Sequence, residues 1–199
     1  MGFAFTAGRS LRIQFDGVAE SPDTLDFDIA DVAVVHLLGF AGGAGVDHVA
    51  GFQGHVLGHE LVHAFQYNVA QGRSGVGIQG LSLLPLWLVE GMAEYLSVGR
   101  EDPLTAMWLR DAIRREELPT IEQMTKERRF FPYRFGQALW AYIGGTYGDE
   151  KVVDLYRRSL SAGWEPAVEQ VLGISSEDLS IEWRNTIENE YFPLMGGRQ

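Results

Sequence analysis

Apolar and polar positions divide the chain into a short N-terminal part and a longer C-terminal part. Three stretches, at residues 3–6, 11–15 and 25–29, alternate apolar with polar or small residues, and a mainly apolar run that contains His36 follows at 32–38. Alternation with a period of two is typical of strands that have one buried face. The pattern predicts a small antiparallel sheet over residues 1–46, in which the run at 32–38 is an edge strand that borders a cleft.

From residue 47 onwards the apolar positions recur with the period of an α-helix. Asp47 is the expected N-cap of the first helix, and a second helix is expected from Pro85 to about Gly99. Further helices are expected at 103–117, from Thr120, and at 133–147, 149–161, 165–172 and 176–191. We therefore expect an α+β fold and one domain over residues 1–199. It would consist of a sheet lobe (1–46), a helical lobe (47–199) and an active-site cleft between the two.

The first of these helices carries the sequence His59-Glu60-Leu61-Val62-His63. Residues four apart on a helix lie one above the other, so the two imidazoles can converge on one cation. Zinc held by such ligands lowers the pKa of a bound water to about 7, and a neighbouring carboxylate can then take its proton. The spacing predicts a zinc site with Glu60 as the general base.

His55 offers a second pair with the same spacing, His55 and His59. His55 and His63 are separated by about 12 Å along the helix axis, which is too far for one four-coordinate ion. The pair His59 and His63 is favoured because Glu60 follows His59, whereas Val56, which has no acid-base chemistry, follows His55.

Two acids lie one turn apart on the otherwise apolar second helix, at Glu90 and Glu94. A buried carboxylate is costly unless it is paired or coordinates a metal. We expect one of the two to bind the ion and the other to accept the second N–H of a ligating imidazole.

Composition excludes several classes of function. The chain of 199 residues carries a net charge of −11 without a basic stripe, so we expect no binding to nucleic acid. It contains no cysteine, so histidine and carboxylate must hold any metal. No apolar run approaches the length of a transmembrane helix, which predicts no membrane insertion and a soluble chain. Removal of an export signal or of flanking domains from a longer protein stays an open alternative.

These motifs together resemble the gluzincin metallopeptidases of the peptidase MA type. The resemblance rests on the His59 to His63 motif and on Trp87-Leu-Val-Glu90-Gly-Met-Ala-Glu94-Tyr95, which is similar to the Trp-Leu-x-Glu-Gly segment of aminopeptidase N and its relatives. It implies a zincin-like catalytic domain with one zinc ion held by His59, His63 and Glu90. It also implies that Glu94 supports a histidine ligand, as an acid does in thermolysin-like members.

A further segment, Phe131-Pro-Tyr133-Arg-Phe-Gly136, is similar to the Pro-Tyr-x-x-Gly segment of the aminopeptidases. The tyrosine of that segment stabilises the oxyanion, a role that the resemblance assigns to Tyr133. Tyr142 and Tyr147 are the alternatives.

The function expected from these observations is zinc-dependent hydrolysis of a peptide or protein substrate. One alternative is a noncatalytic binding or scaffold module that keeps the zincin fold within a larger protein. Another is a metallohydrolase acting on a non-peptide substrate such as an ester. The residues do not predict the substrate sequence, endo- or exopeptidase action, or the oligomeric state.

Overall fold

The structure is a computed structural model that describes residues 2–5, 10–14, 27–28, 49–73 and 78–195, with side chains described over 56–71 and 80–193. The chain separates into two compact units, Met1–Ala50 and Gly51–Gln199. The single domain expected over residues 1–199 stays a prediction.

The first unit contains three short strands, β1 (Gly2–Phe5), β2 (Ser10–Gln14) and β3 (Phe27–Asp28). They pair antiparallel in the order β1-β2-β3, with Phe3 opposite Ile13 and Leu11 opposite Phe27. The run at 32–38 and Asp47 lie outside the described residues.

Helices make up the rest of the described chain. They are α1 (Val49–Arg73), α2 (Ile78–Leu81), α3 (Leu86–Val98), α4 (Pro103–Arg114), α5 (Ile121–Lys126), α6 (Pro132–Tyr147), α7 (Asp149–Ala162), α8 (Trp164–Leu172) and α9 (Ser176–Met195).

The predicted α+β fold class, with its cleft between a sheet lobe and a helical lobe, is wrong. From Val49 to Met195 the described chain contains only helices and their connections, and all the predicted metal ligands lie within this part. The architecture of this part is therefore all-helical. The physical reason is that helix packs directly on helix: α3 against α6, α7 against α8, and α9 against α4. The apolar faces of these helices are buried by one another.

Packing of α3 against α6 forms the centre of the core. Trp87 and Leu88 of α3 are fully buried, as is Trp140 of α6, whose indole N–H donates to the Leu88 carbonyl at 3.0 Å. The two backbones meet at Gly91 and Gly136, where a Cβ atom added to Gly91 would lie 2.5 Å from backbone atoms of Gly136. This close approach fixes the position of α3, the helix that carries Glu90.

Several predicted helix ends are confirmed by their capping interactions. Asp102 caps α4 by accepting from the Thr105 N–H, and Thr120 forms a capping box with Gln123 at the start of α5. Other helix boundaries differ from the prediction by one to four residues. Pro85 is the N-cap residue, so α3 begins at Leu86, and α4 ends at Arg114 instead of near residue 117.

None of the helices in the described part of the chain is long and apolar enough to cross a membrane.

Candidate metal centre

Helices α1 and α3 lie side by side and run in opposite directions. Near one end of the contact, a Cβ atom added to Gly58 of α1 would lie 3.4 Å from the Ser97 side chain of α3. Near the other end, the Gln66 side chain amide of α1 donates to the Val89 carbonyl of α3 at 2.9 Å. Residues 59 to 63 of α1 therefore face the middle of α3, where Glu90 is located.

His59, His63 and Glu90 meet at this contact. The Nε2 atom of His59 lies 3.2 Å from the Glu90 Oε2 atom, and the Nε2 atom of His63 lies 3.1 Å from the same oxygen. The two Nε2 atoms are themselves 3.1 Å apart. His59 is buried and the other two are partly buried. Three potential ligand atoms thus form a nearly equilateral triangle.

The triangle has the dimensions of one face of a zinc coordination tetrahedron. Zinc bonds of 2.0–2.1 Å at tetrahedral angles separate neighbouring ligand atoms by roughly 3.3 Å, close to the distances observed here. Two imidazoles and one carboxylate suit zinc better than calcium or magnesium, which prefer all-oxygen ligands. Three protein ligands leave the fourth corner of the tetrahedron for water or substrate.

The electrostatics of the triangle favour a cation at its centre. Burial by itself lowers the pKa of His59, but the carboxylates of Glu90 and Glu94 outweigh burial and raise this pKa to about 9. Burial by itself raises the pKa of Glu90, but the two imidazoles outweigh it and lower this pKa to about 2. A metal ion therefore competes with protons for the same three atoms, and its binding must be linked to pH.

Gln66 orients the second histidine. Its Oε1 atom, which can only accept, receives a hydrogen bond of 2.7 Å from the Nδ1 atom of His63. Because the Nδ1 atom carries the proton, the Nε2 atom of neutral His63 keeps the lone pair that a metal requires. The amide of Gln66 is itself fixed by its bond to the Val89 carbonyl, and the residue is 1% exposed. Gln66 was not predicted to orient a metal ligand. The feature that could have indicated it is its position one helical turn after His63.

Glu94 lies behind the first histidine. Its Oε2 atom is 3.8 Å from the Nδ1 atom of His59, which makes the contact an ion pair longer than a direct hydrogen bond. Its Oε1 atom is 3.4 Å from the Nη2 atom of Arg134. Glu94 is only 4% exposed, so it lies on the inner side of α3, facing the histidine that it was expected to support.

Tyr133 lies on the other side of His59. Its ring is stacked on the imidazole with the ring centroids 5.7 Å apart. Burial, followed by the charges of Glu90, Glu60 and Glu94, raises the pKa of the Tyr133 phenol, so its hydroxyl keeps its proton at neutral pH.

The alternative tyrosines are bound elsewhere. The hydroxyls of Tyr142 and Tyr147 both donate to the carboxylate of Glu182 in α9. Among the three tyrosines considered, only Tyr133 has a ring that contacts a predicted metal ligand within the described part of the chain. The side chain of His55 lies outside the residues whose side chains are described.

Comparison with known proteins gives no match: no family model, no curated protein and no solved structure is significantly similar to the chain. The resemblance to gluzincin peptidases therefore stays a prediction from the sequence motifs.

Proposed function

We propose that the protein is a zinc-dependent peptidase of the gluzincin type. One observation carries the proposal: the ligand atoms of His59, His63 and Glu90 lie 3.1–3.2 Å from one another, next to a glutamate with the spacing of a general base. A site whose only task is structural normally has four protein ligands. Three ligands beside a carboxylate are typical of a site that activates water.

A zinc ion bound here would lower the pKa of a coordinated water and polarise a substrate carbonyl. Glu60 accepts the proton of the attacking water and passes it to the amine that leaves. The Tyr133 hydroxyl, which keeps its proton at neutral pH, donates a hydrogen bond to the carbonyl oxygen as negative charge develops there. Gln66 and Glu94 keep the two imidazoles oriented during these steps.

The test begins with metal analysis and peptide cleavage. Purified wild-type protein, Glu60→Gln, and Glu177→Gln as a control at an exposed carboxylate on α9 would each be assayed for bound zinc. Each would then be incubated with a mixed peptide library, with and without a chelator. We expect about one zinc per chain in all three proteins. Cleavage by wild type and by Glu177→Gln should be abolished by the chelator, and Glu60→Gln should be at least about a hundredfold slower.

Two other outcomes would favour the alternatives. Stoichiometric zinc in wild type without cleavage of any peptide or ester would support a noncatalytic binding or scaffold module. Chelator-sensitive hydrolysis of esters alone would support a metallohydrolase acting on a non-peptide substrate. Wild-type protein without zinc affinity would refute the proposal.

A further inference from the structure

Arg134 is a partly buried cation one residue beyond Tyr133, in the first turn of α6. Its side chain is 12% exposed and lies between two carboxylates. The Nη2 atom is 3.4 Å from Glu94 Oε1, and the Nη1 atom is 3.1 Å from Asp102 Oδ1. The two ends of the guanidinium therefore form ion pairs with two acids from different parts of the fold.

Glu94 and Asp102 each make a second contact besides the one with Arg134. Glu94 faces the Nδ1 atom of His59 with its second oxygen. Asp102 caps α4, because its Oδ1 atom also accepts from the Thr105 N–H at 2.7 Å. Arg134 thus connects the start of α4 to the carboxylate behind His59, and the imidazole in turn directs its Nε2 atom toward Glu90.

A cation is needed at this position for electrostatic reasons. Glu94 and Asp102 each place a carboxylate oxygen within 3.4 Å of the guanidinium, and the side chain of Glu94 is only 6% exposed. Removing one partner of a buried ion pair leaves an uncompensated charge that the fold cannot solvate. A guanidinium can hold both carboxylates through its planar fork, whereas a lysine ammonium is a point charge on a flexible stem.

We propose that Arg134 is a positioning residue of the metal site, which holds Glu94 in the orientation that directs the His59 Nε2 atom toward a zinc ion. Loss of a group that orients a metal ligand typically weakens metal binding by about 10- to 100-fold. The inference rests on the zinc site of the proposed function but not on catalysis, so it can be tested by metal binding alone.

The experiment measures the zinc dissociation constant of the full chain by competition with a chromophoric chelator at pH 7.5. Arg134→Met should bind zinc about 10- to 100-fold more weakly than wild type. Arg134→Lys should be intermediate. Arg129→Met, which removes an exposed arginine paired with Glu127, should bind zinc as wild type does. Thermal unfolding of the metal-free variants is recorded in parallel, because a purely structural role would lower the melting temperature and leave the dissociation constant unchanged.

A double mutant locates the effect. In Glu94→Gln the single amide oxygen cannot take the place of both carboxylate oxygens, of which Oε2 faces His59 and Oε1 faces Arg134. If Arg134 acts through Glu94, the change Arg134→Met should cost less than about threefold in zinc affinity when made in Glu94→Gln. Additive losses in the double mutant would overturn the inference. A wild-type dissociation constant for Arg134→Met would also overturn it. If Arg134→Met fails to fold, Arg134→Lys takes its place in this comparison.

The test also separates this inference from the proposed function. Zinc binding without peptide cleavage would refute the peptidase and leave the role of Arg134 intact. Zinc binding that is insensitive to Arg134 would refute only the positioning role. Wild-type protein without zinc affinity would overturn both.

Discussion

Replacing Gly91 with alanine tests whether close packing of two helices sets the position of the third ligand. An added Cβ at Gly91 would lie 2.5 Å from the Cα and carbonyl carbon of Gly136, and ordinary contact begins at 3.4 Å. The helices must therefore separate by about 0.9 Å, because backbone atoms have no rotamer through which to move away. Glu90, the adjacent residue, would move with α3.

The cost can be approximated from two opposing effects. Inserting a methyl group into a well-packed contact costs typically about 1–3 kcal/mol, whereas alanine in place of glycine within a helix gains about 0.5–1 kcal/mol. Gly91→Ala should therefore lower the free energy of unfolding by up to about 2.5 kcal/mol. Gly145→Ala is the matched control, since Gly145 lies in α6 with no atom within 4 Å of its added Cβ, and it should gain about 0.5–1 kcal/mol.

The assay is urea unfolding of both variants in the presence of a chelator, followed by zinc competition. We expect the two variants to differ by roughly 1–3 kcal/mol in the free energy of unfolding, because the gain from alanine in a helix is common to both and cancels. We also expect Gly91→Ala to bind zinc at least about tenfold more weakly, because the triangle of ligand atoms opens when α3 moves. Equal stability of Gly91→Ala and Gly145→Ala would refute the argument from close packing. An unchanged dissociation constant would show that the α3 to α6 contact does not position Glu90.

Three further predictions concern the metal site. Gln66→Leu, which loses the acceptor for His63 and the donor to Val89, should weaken zinc binding by about 10- to 100-fold in a chelator competition assay; wild-type affinity would exclude the orienting role. Without metal, the raised pKa of His59 contributes stability that is fully present below pH 6.5 and is lost as the pH rises toward 9. The lowered pKa of Glu90 contributes stability that is present above pH 4.5 and is lost as the pH falls toward 2. The melting temperature without metal should therefore fall from pH 6.5 to 9, while the rise in melting temperature caused by excess zinc should become larger over the same range. Parallel curves of melting temperature against pH with and without zinc would contradict this competition between protons and metal. Tyr133→Phe should retain wild-type zinc affinity and lower kcat by about 100- to 1000-fold, and an unchanged kcat would exclude Tyr133 as the oxyanion donor.

Local signals in the sequence located the helices around the site well. His59 and His63 are four residues apart, as are the two acids of α3, so each pair lies on one face of its helix. The capping residues Asp102 and Thr120 bond to backbone N–H groups only three residues further along the chain. Such features depend on neighbouring backbone atoms, so the sequence is sufficient to predict them.

The fold class could not be predicted in the same way. Alternation in residues 1–46 indicates a local preference for extended backbone, but it contains no information on whether a sheet shares a core with the helices that carry the ligands. The described chain from Val49 to Met195 instead buries its apolar faces by packing helix on helix.

Gln66 and Arg134 were not predicted as residues that orient the ligands, because their contacts depend on which helices lie side by side. Gln66 matters because its amide reaches Val89 on the opposite helix, 23 residues further along the chain. Arg134 matters because α6 crosses α3 at Gly136, only two residues later, which brings the guanidinium next to Glu94. The same crossing brings Tyr133 onto His59. Close backbone packing of α6 on α3, which includes Gly91 and Gly136, therefore positions the third ligand, the stacked tyrosine and the partly buried arginine. Perturbing this packing should affect zinc affinity and turnover together, whereas Tyr133→Phe should affect turnover alone.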